Sequence, residues 1–374
     1  MAAAAPTDGV LGNIAGGRVL VTGGYGAVGA MVVRRLLEVG ALPVVLDVLD
    51  ENPYLHDVAE DFVSVHQDIR DLDGVVGAVQ RERVDHVIHL AKAIGPKTQE
   101  DPRLALTINV LGSGNVLEAA KAAGVPRVVF SSSKSVYAEL SGEHAPPTQA
   151  PITEDYPTFE RGDPKDVLFY STTNKMVEYY GIRFARRFGM EFVVTRFAST
   201  YGPGKPRRRV PNPGGGFGGR AGGQGQREVP YKTFGNLACY IVESAFDGAS
   251  LDLPEGRDQR ADLVYNGDLA NGLIAAACSD RIRFSGGWRE FNLGLGRVVT
   301  GGEVAEAATA HFPDAQVRIG PGAMTSYDHA EILAVFDLTR AREELGYEPA
   351  YPPPAAVEHY AQLLELGRRA APAA

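Results

Sequence analysis

Cysteine is scarce in this chain: Cys239 and Cys278 are the only two among 374 residues. Both lie in apolar, helix-like stretches, a setting for buried thiols rather than for a disulfide framework or a zinc site. No metal is expected. Long apolar runs are missing as well. No stretch reaches the roughly eighteen apolar residues that a membrane span needs, so no membrane partner is expected. Cationic charge is in deficit, with 37 Lys and Arg against 46 Asp and Glu and a net charge of −9. With an isoelectric point near 5.5, the chain is a poor candidate for general binding to nucleic acid or anionic membranes. Residues 1–17 are rich in Ala and Gly but have neither a basic stretch nor a long apolar run. They read as a disordered tail rather than a signal peptide. The default expectation is a cytoplasmic location.

Glycine, in contrast, is plentiful, at 44 residues, and its placement is informative. Residues 18–29 read Arg-Val-Leu-Val-Thr-Gly-Gly-Tyr-Gly-Ala-Val-Gly, an apolar strand that runs into a glycine-rich turn and then a helix. Such a turn aims backbone N–H groups and a helix N-terminus at an anion, usually the pyrophosphate of a dinucleotide. Gly23 permits the tight turn, Gly26 lets the backbone approach the phosphates, and Gly29 lets the helix pack close to the strand. Tyr25, Ala27 and Val28 complete the segment. An amphipathic helix follows over 28–39, and a second strand at 44–46 ends in Asp47. An acid at that place can accept both hydroxyls of an adenosine ribose and repels a 2′-phosphate, which favours NAD over NADP.

Further along, 18–22, 44–47, 62–66, 86–90, 128–131 and 192–196 read as strands, with helical patterns between them, notably 104–123 and 167–188. Alternating β and α elements predict an α/β fold with a doubly wound parallel sheet and ligands at the strands' C-terminal ends. The length allows two lobes. The character changes after Tyr201-Gly202-Pro203: 203–229 is rich in Gly, Pro and Arg. It reads as a surface loop, or as a basic cluster that reaches a substrate phosphate.

Many ordered landmarks now stand along the chain: the glycine-rich turn; Asp47; Gln67-Asp68-Ile69-Arg70-Asp71; His89-Leu90-Ala91; Asn109; Phe130-Ser131-Ser132-Ser133; Val136-Tyr137; Tyr170; Arg196-Phe197; Tyr201-Gly202-Pro203; Phe291-Asn292-Leu293-Gly294; and Asp337 before Leu345-Gly346-Tyr347. On these residues the chain resembles the extended short-chain dehydrogenase/reductase family, in its nucleotide-sugar epimerase and dehydratase branch, from about residue 18 to about 366. The resemblance implies a Rossmann-type NAD-binding domain at 18–200, with 262–280 returning to it, a smaller C-terminal α/β substrate-binding lobe at 201–366, and a tail at 367–374. It implies that Asp68 and Ile69 flank the adenine. Leu90, Ala91 and Lys92 line the pyrophosphate and nicotinamide side, with Asn109, Ser131 and Ser132 also on the cofactor side. Ser133 hydrogen-bonds the sugar's reacting oxygen and Tyr170 is the acid/base. The same residues also fit plainer roles. Asp68 and Asp71 can bracket a turn and cap the next helix, Ser131 to Ser133 can satisfy strand-end backbone, and Asn292 can be a turn residue.

The chemistry implied has a gap. Free tyrosine has a pKa of about 10, and lowering it by ~3 units to work as a base near neutrality requires roughly 4 kcal/mol of preferential phenolate stabilisation. The family supplies this with the positive nicotinamide and a lysine four residues after the tyrosine, on the same helix face. Here Tyr170 is followed by Ser171-Thr172-Thr173-Asn174-Lys175, so Asn174 holds the lysine place. Lys175 comes one position late and points about 100° round the helix. Three explanations stand. Lys175 or Lys134 supplies the charge; Tyr170 works less activated, more slowly or at higher pH; or the protein binds NAD without normal turnover.

Family dehydratases and decarboxylases carry carboxylates just before Val-Tyr, where this chain has Lys134 and Ser135. That argues against elimination and decarboxylation. It leaves an epimerase with resident NAD, or an NAD-dependent dehydrogenase, or a non-catalytic NAD-binding protein. The substrate expected is a sugar or sugar nucleotide lined by Ser133, Lys134, Ser199 and Arg260, though a solvated loop arginine is an equal reading of Arg260. The family also implies a homodimer through the helices at 104–123 and 167–188, with Leu106, Val110, Leu117, Met176 and Tyr180 available for the contact or for packing on the sheet.

Overall fold

The apolar runs of the first half become neighbouring strands. The structure, a computed structural model, describes residues 8–94, 97–145, 148–158, 168–204, 233–324 and 334–370. From residue 205 onward, the Gly- and Arg-rich loop expected at 203–229 lies outside them. The strands are β1 (Arg18–Thr22), β2 (Leu42–Asp47), β3 (Val63–His66), β4 (His86–His89), β5 (Arg127–Ser133), β6 (Glu191–Phe197), β7 (Ser199–Tyr201), β8 (Leu251–Leu253), β9 (Arg260–Tyr265), β10 (Trp288–Leu293), β11 (Val298–Thr300) and β12 (Val317–Ile319). The helices are α1 (Asp8–Leu11), α2 (Ala27–Glu38), α3 (Leu72–Arg81), α4 (Lys97–Glu100), α5 (Pro102–Ala105), α6 (Ser113–Ala123), α7 (Phe169–Phe188), α8 (Phe234–Phe246), α9 (Asn266–Cys278), α10 (Gly301–His311), α11 (Thr339–Leu345) and α12 (Pro353–Ala370).

Seven strands form one parallel sheet in the order β10-β6-β5-β4-β1-β2-β3. Along β1, successive side chains go to opposite faces. Val19 and Val21 join a core with Met31, Val32 and Leu36 of α2 and Leu273 and Ile274 of α9. Leu20 joins a second core with Val75 and Val79 of α3, Val116 and Leu117 of α6, and Val177 and Phe184 of α7. A strand covered on both faces must be apolar throughout, which is why these segments read as continuous hydrophobic runs. The connection order reverses between β1 and β4, which opens a crevice beyond the C-terminal ends of both strands. The second lobe packs β7, β9 and β11, and the β8 and β12 pair, against α8, α10 and α12 around Tyr201, Phe234, Ile241, Tyr265 and Tyr360.

Several expectations change. Residues 1–17 do not form a tail throughout: α1 and the turn after it bury Val10, Leu11 and Ile14 in the core that includes α9. Three apolar side chains in a short stretch carry no period, so their docking is invisible locally. Residues 367–370, where a tail is expected, are helical, because α12 continues to Ala370. Strand β10, expected in the second lobe, is the seventh strand of the main sheet, with Phe291 opposite Thr195 of β6. The helix expected at 104–123 starts at Pro102 and contains a wide π-type stretch, Leu106–Gly112. Among the described residues no helix is long and apolar enough to cross a membrane.

Candidate active site

The glycine-rich turn has the geometry that a dinucleotide requires. Gly23 has φ +72°, and a Cβ there would lie 2.8 Å from the backbone nitrogen of Ala91. At Gly29 a Cβ would lie 2.2 Å from the Gly23 carbonyl oxygen, so only glycine lets α2 start so close to the turn. The N-terminus of α2 has no side-chain cap, whereas α3, α5, α8 and α10 are capped by Asp71, Asp101, Thr233 and Thr300. The first backbone N–H groups of α2, on Ala27, Val28 and Gly29, are left for an anion. Tyr25 itself does not point there: its N–H donates to Asp47 Oδ2 (3.0 Å), its carbonyl accepts from Asn52, and its hydroxyl donates to Ser64. Asp47 also accepts from the N–H groups of Val48 and Leu49. Three of its roughly four acceptor sites are therefore spent on holding the turn, and about one remains for a ribose hydroxyl rather than the pair expected from sequence. Asp68 grips Arg70 through both carboxylate oxygens, which holds its pKa below the usual range. Ile69 fills the space beside Gly112, where a Cβ would meet it at 2.6 Å. The residues fit an adenine dinucleotide.

At the ends of β4 and β5 the site becomes chemical. Leu90 and Ala91 each donate a backbone N–H to Thr22 Oγ1 (3.2 Å), and Ala93 is clamped by Asn109, which accepts from its N–H (2.7 Å) and donates to its carbonyl (3.0 Å). Asn109 also donates to Thr173 on α7. It clamps the segment after β4 to α7. Lys92, between these anchors, turns its Nζ to Asn174 Oδ1 (2.9 Å) and to the carbonyl of Ser131. The ammonium stands 6.0 Å from the centre of the Tyr170 ring. Burial pushes Lys92 down to about 7, with the Glu178 charge acting in the opposite direction. Burial pushes the Tyr170 hydroxyl up, and hydrogen bonds from Asn174 and Ser133 draw it back. Ser133, Tyr170, Asn174, Ser131 and Lys92 are thus together, contributed by β5, α7 and the segment after β4.

Lys175 and Lys134 do not join this group. Lys175 pairs with Glu178 (3.2 Å) and lies over the Tyr179 ring; Lys134 donates to Ser199 Oγ (2.6 Å). Lys175 follows Asn174 by one residue, so the helical turn carries its side chain to a different neighbour. Ser132, expected on the cofactor, donates to Glu178 Oε1 (2.6 Å) and is buried. Glu178 opens a buried polar network that local sequence reading does not assign. Arg196 donates to both Glu178 oxygens, to Tyr137 Oη and to the Glu154 carbonyl, and Tyr137 donates to Asn292 Oδ1 (2.6 Å). Burial alone raises Glu178, but Arg196, Lys175 and Ser132 hold it below the usual carboxylate range. Asn292 is part of this network and not an isolated turn residue. Arg260 opens β9, and among the described residues its Nε has no hydrogen-bond partner. Asp262, two residues on, accepts the N–H groups of Leu295, Gly296 and Phe336, and burial raises it to about 6. The described residues bring together no group of His, Cys, Asp or Glu that could hold a metal.

A seven-stranded parallel sheet with a glycine-rich turn at its switch point defines a Rossmann-like α/β protein. The family model described as the NAD dependent epimerase/dehydratase family matches residues 19–213, more than half of the chain, and the chain belongs to that family. A UDP-glucose 4-epimerase of Mycolicibacterium smegmatis is 28% identical over 340 residues, covering 89% of this chain and 93% of the relative. One from Neisseria meningitidis serogroup C is 30% identical over 314 residues, covering 78% and 82%. Among solved structures, the UDP-glucose 4-epimerase of Thermus thermophilus in complex with NAD is 25% identical, with a TM-score of 0.68 over 93% of this chain and 99% of that one.

Proposed function

We propose that this protein is an NAD-dependent epimerase of a sugar nucleotide, with Tyr170 as the acid/base. The observation that carries the reading is the meeting of Tyr170 with Ser133 beyond the same strand ends as the glycine-rich turn. Gly23, Gly26, the N–H groups of Ala27 to Gly29, Asp47 and Ile69 hold the dinucleotide, with Leu90 and Ala91 on its nicotinamide side. When bound, NAD supplies a reversible hydride acceptor. Tyr170 removes the proton from the sugar hydroxyl and later returns it, and Ser133 orients that oxygen. Arg260, at the start of β9 and with a buried Nε that has no hydrogen-bond partner among the described residues, is the side chain we assign to an anionic substrate phosphate. Lys134 and Ser199, already bonded to each other, form a polar wall on the sugar side. The relatives' names support a UDP-sugar as substrate.

Homodimerisation through α7 and the helical segment before it fits the exposed Leu106, Leu111, Met176, Tyr179 and Tyr180 on these elements. The test of function is incubation of the purified protein with a panel of nucleotide sugars, followed by NMR and by absorbance of NADH. Interconversion of two epimers with no net NADH is expected. Net NADH accumulation identifies a dehydrogenase instead, and absence of any conversion across the panel overturns the proposal.

A further inference from the structure

We propose that Lys92 is the positioning cation of Tyr170, standing in from the end of β4 for the lysine that α7 lacks at Asn174. The proposal rests on the reading of Tyr170 as acid/base and adds the residue that makes its phenolate accessible.

The Lys92 ammonium donates to Asn174 Oδ1 (2.9 Å), the side chain that occupies the motif position. It is 6.0 Å from the Tyr170 ring and 4.6 Å from the Phe130 ring. Its two hydrogen-bond partners, an amide oxygen and a backbone carbonyl, are neutral. Among the described residues no carboxylate forms an ion pair with it, so its charge is not consumed at close range. The other nearby cations are committed: Lys175 and Arg196 to Glu178, and Lys134 to Ser199. The placement is also enforced. Thr22 fixes the backbone on one side of Lys92 and Asn109 fixes it on the other. A half-buried lysine held by two backbone anchors and aimed at the motif position is a built feature. An opposite charge within about 4–6 Å of an ionisable group favours its charged form.

The charged and titratable groups that act on Lys92 or feel its charge are Glu178 from α7 and His89 from β4, and Glu178 in turn is held by Arg196 from β6 and Lys175 from α7. His89 is neutral through the working range, and Glu178 is held ionised by Arg196. Burial lowers Lys92 and raises Tyr170, so each charged form is disfavoured alone. In this proposal the ammonium and the phenolate form together.

The experiment compares wild type, Lys92→Met and the exchange variant Lys92→Ala with Asn174→Lys. Tyr170 ionisation is read by ultraviolet difference titration after subtraction of Tyr170→Phe, and the pH profile of kcat/KM is read with a reacting sugar nucleotide. Lys92→Met is expected to move both the phenol titration and the acid limb of the profile upward by about one pH unit or more, a loss of about tenfold in rate below the shifted limb. The exchange variant returns both toward wild type. If Lys92→Met does not fold, Lys92→Arg keeps the charge and is expected to preserve the titration. An unmoved Tyr170 titration in folded Lys92→Met, or an exchange variant that fails to restore it, overturns the proposal. The titration requires no sugar, so failure of every nucleotide sugar sinks the proposed function without touching this result.

Discussion

The hydrogen inventory around His89 determines its tautomer. Ser113 Oγ donates to the Asn109 carbonyl (2.5 Å), so it can only accept from His89 Nε2–H (2.8 Å). Thr22 Oγ1 then donates to Nδ1 (2.6 Å) while it accepts the N–H groups of Leu90 and Ala91. A second ring proton would leave the Thr22 hydroxyl without an acceptor, and burial, with the Lys92 charge, pushes the pKa to about 3. The sign follows. The unfolded histidine takes a proton near 6.5 and the folded one does not, so the unfolded state binds more protons between the two values. Stability is full above about 6.5 and falls as the pH drops toward about 3. Urea midpoints of wild type are expected to fall steeply across that window. His89→Asn, which cannot titrate, is expected to show a flatter slope there from a lower starting stability. An identical slope in the variant would assign the acid sensitivity to other groups.

At the scale of elements, two helical glycines separate packing from propensity. Gly29 lies where α2 meets the turn, and the atoms a Cβ would strike are backbone, at 2.2 Å and 2.7 Å. Gly77, in the middle of α3, has nothing within 4 Å of its would-be Cβ. Gly29→Ala is expected to lower stability by about 1–3 kcal/mol and to weaken retention of NAD, because the helix start must shift away from the phosphate position. Gly77→Ala is expected to raise stability by about 0.5–1 kcal/mol through helix propensity and to leave NAD retention unchanged. Thermal unfolding with measurement of bound NAD checks both signs. The π-type stretch at Leu106–Gly112 belongs to this scale as well. It includes Asn109, whose side chain ties the segment after β4 to α7, and a wide helical turn of this kind often marks a functional place.

At the scale of the whole molecule, five of the exposed large apolar side chains lie on two elements that pack against each other. Leu106 (44%), Leu111 (58%), Met176 (42%), Tyr179 (47%) and Tyr180 (46%) are open to solvent on two adjoining helical elements. Contiguous apolar surface of this kind marks an interface more often than a free surface. Of the residues available for the contact or for packing on the sheet, Leu117 is buried in the core and Val110 packs against it. Met176→Glu combined with Tyr180→Glu is expected to convert a dimer to a folded monomer in sedimentation velocity. A wild-type chain that sediments as a monomer at micromolar concentration contradicts the dimer.

The sequence by itself determined what depends on near neighbours. The strand, turn and helix around Gly23 to Gly29 are legible because steric limits at glycine and a helix's first N–H groups are local properties. So is the position of Asn174 one helical turn after Tyr170, which exposed the missing lysine. What only the tertiary structure decided is which residue answers that loss. Lys92 and Asn174 are 82 residues apart in the chain, and they meet because parallel pairing of β4 with β5 brings the end of β4 beneath α7. The same holds for β10, whose short run of mixed residues gives no hint of the strand it joins, and for Val10, Leu11 and Ile14, whose apolar side chains find α9 across most of the molecule. Register and packing between distant segments depend on the sum of many contacts, and no window of sequence contains that sum.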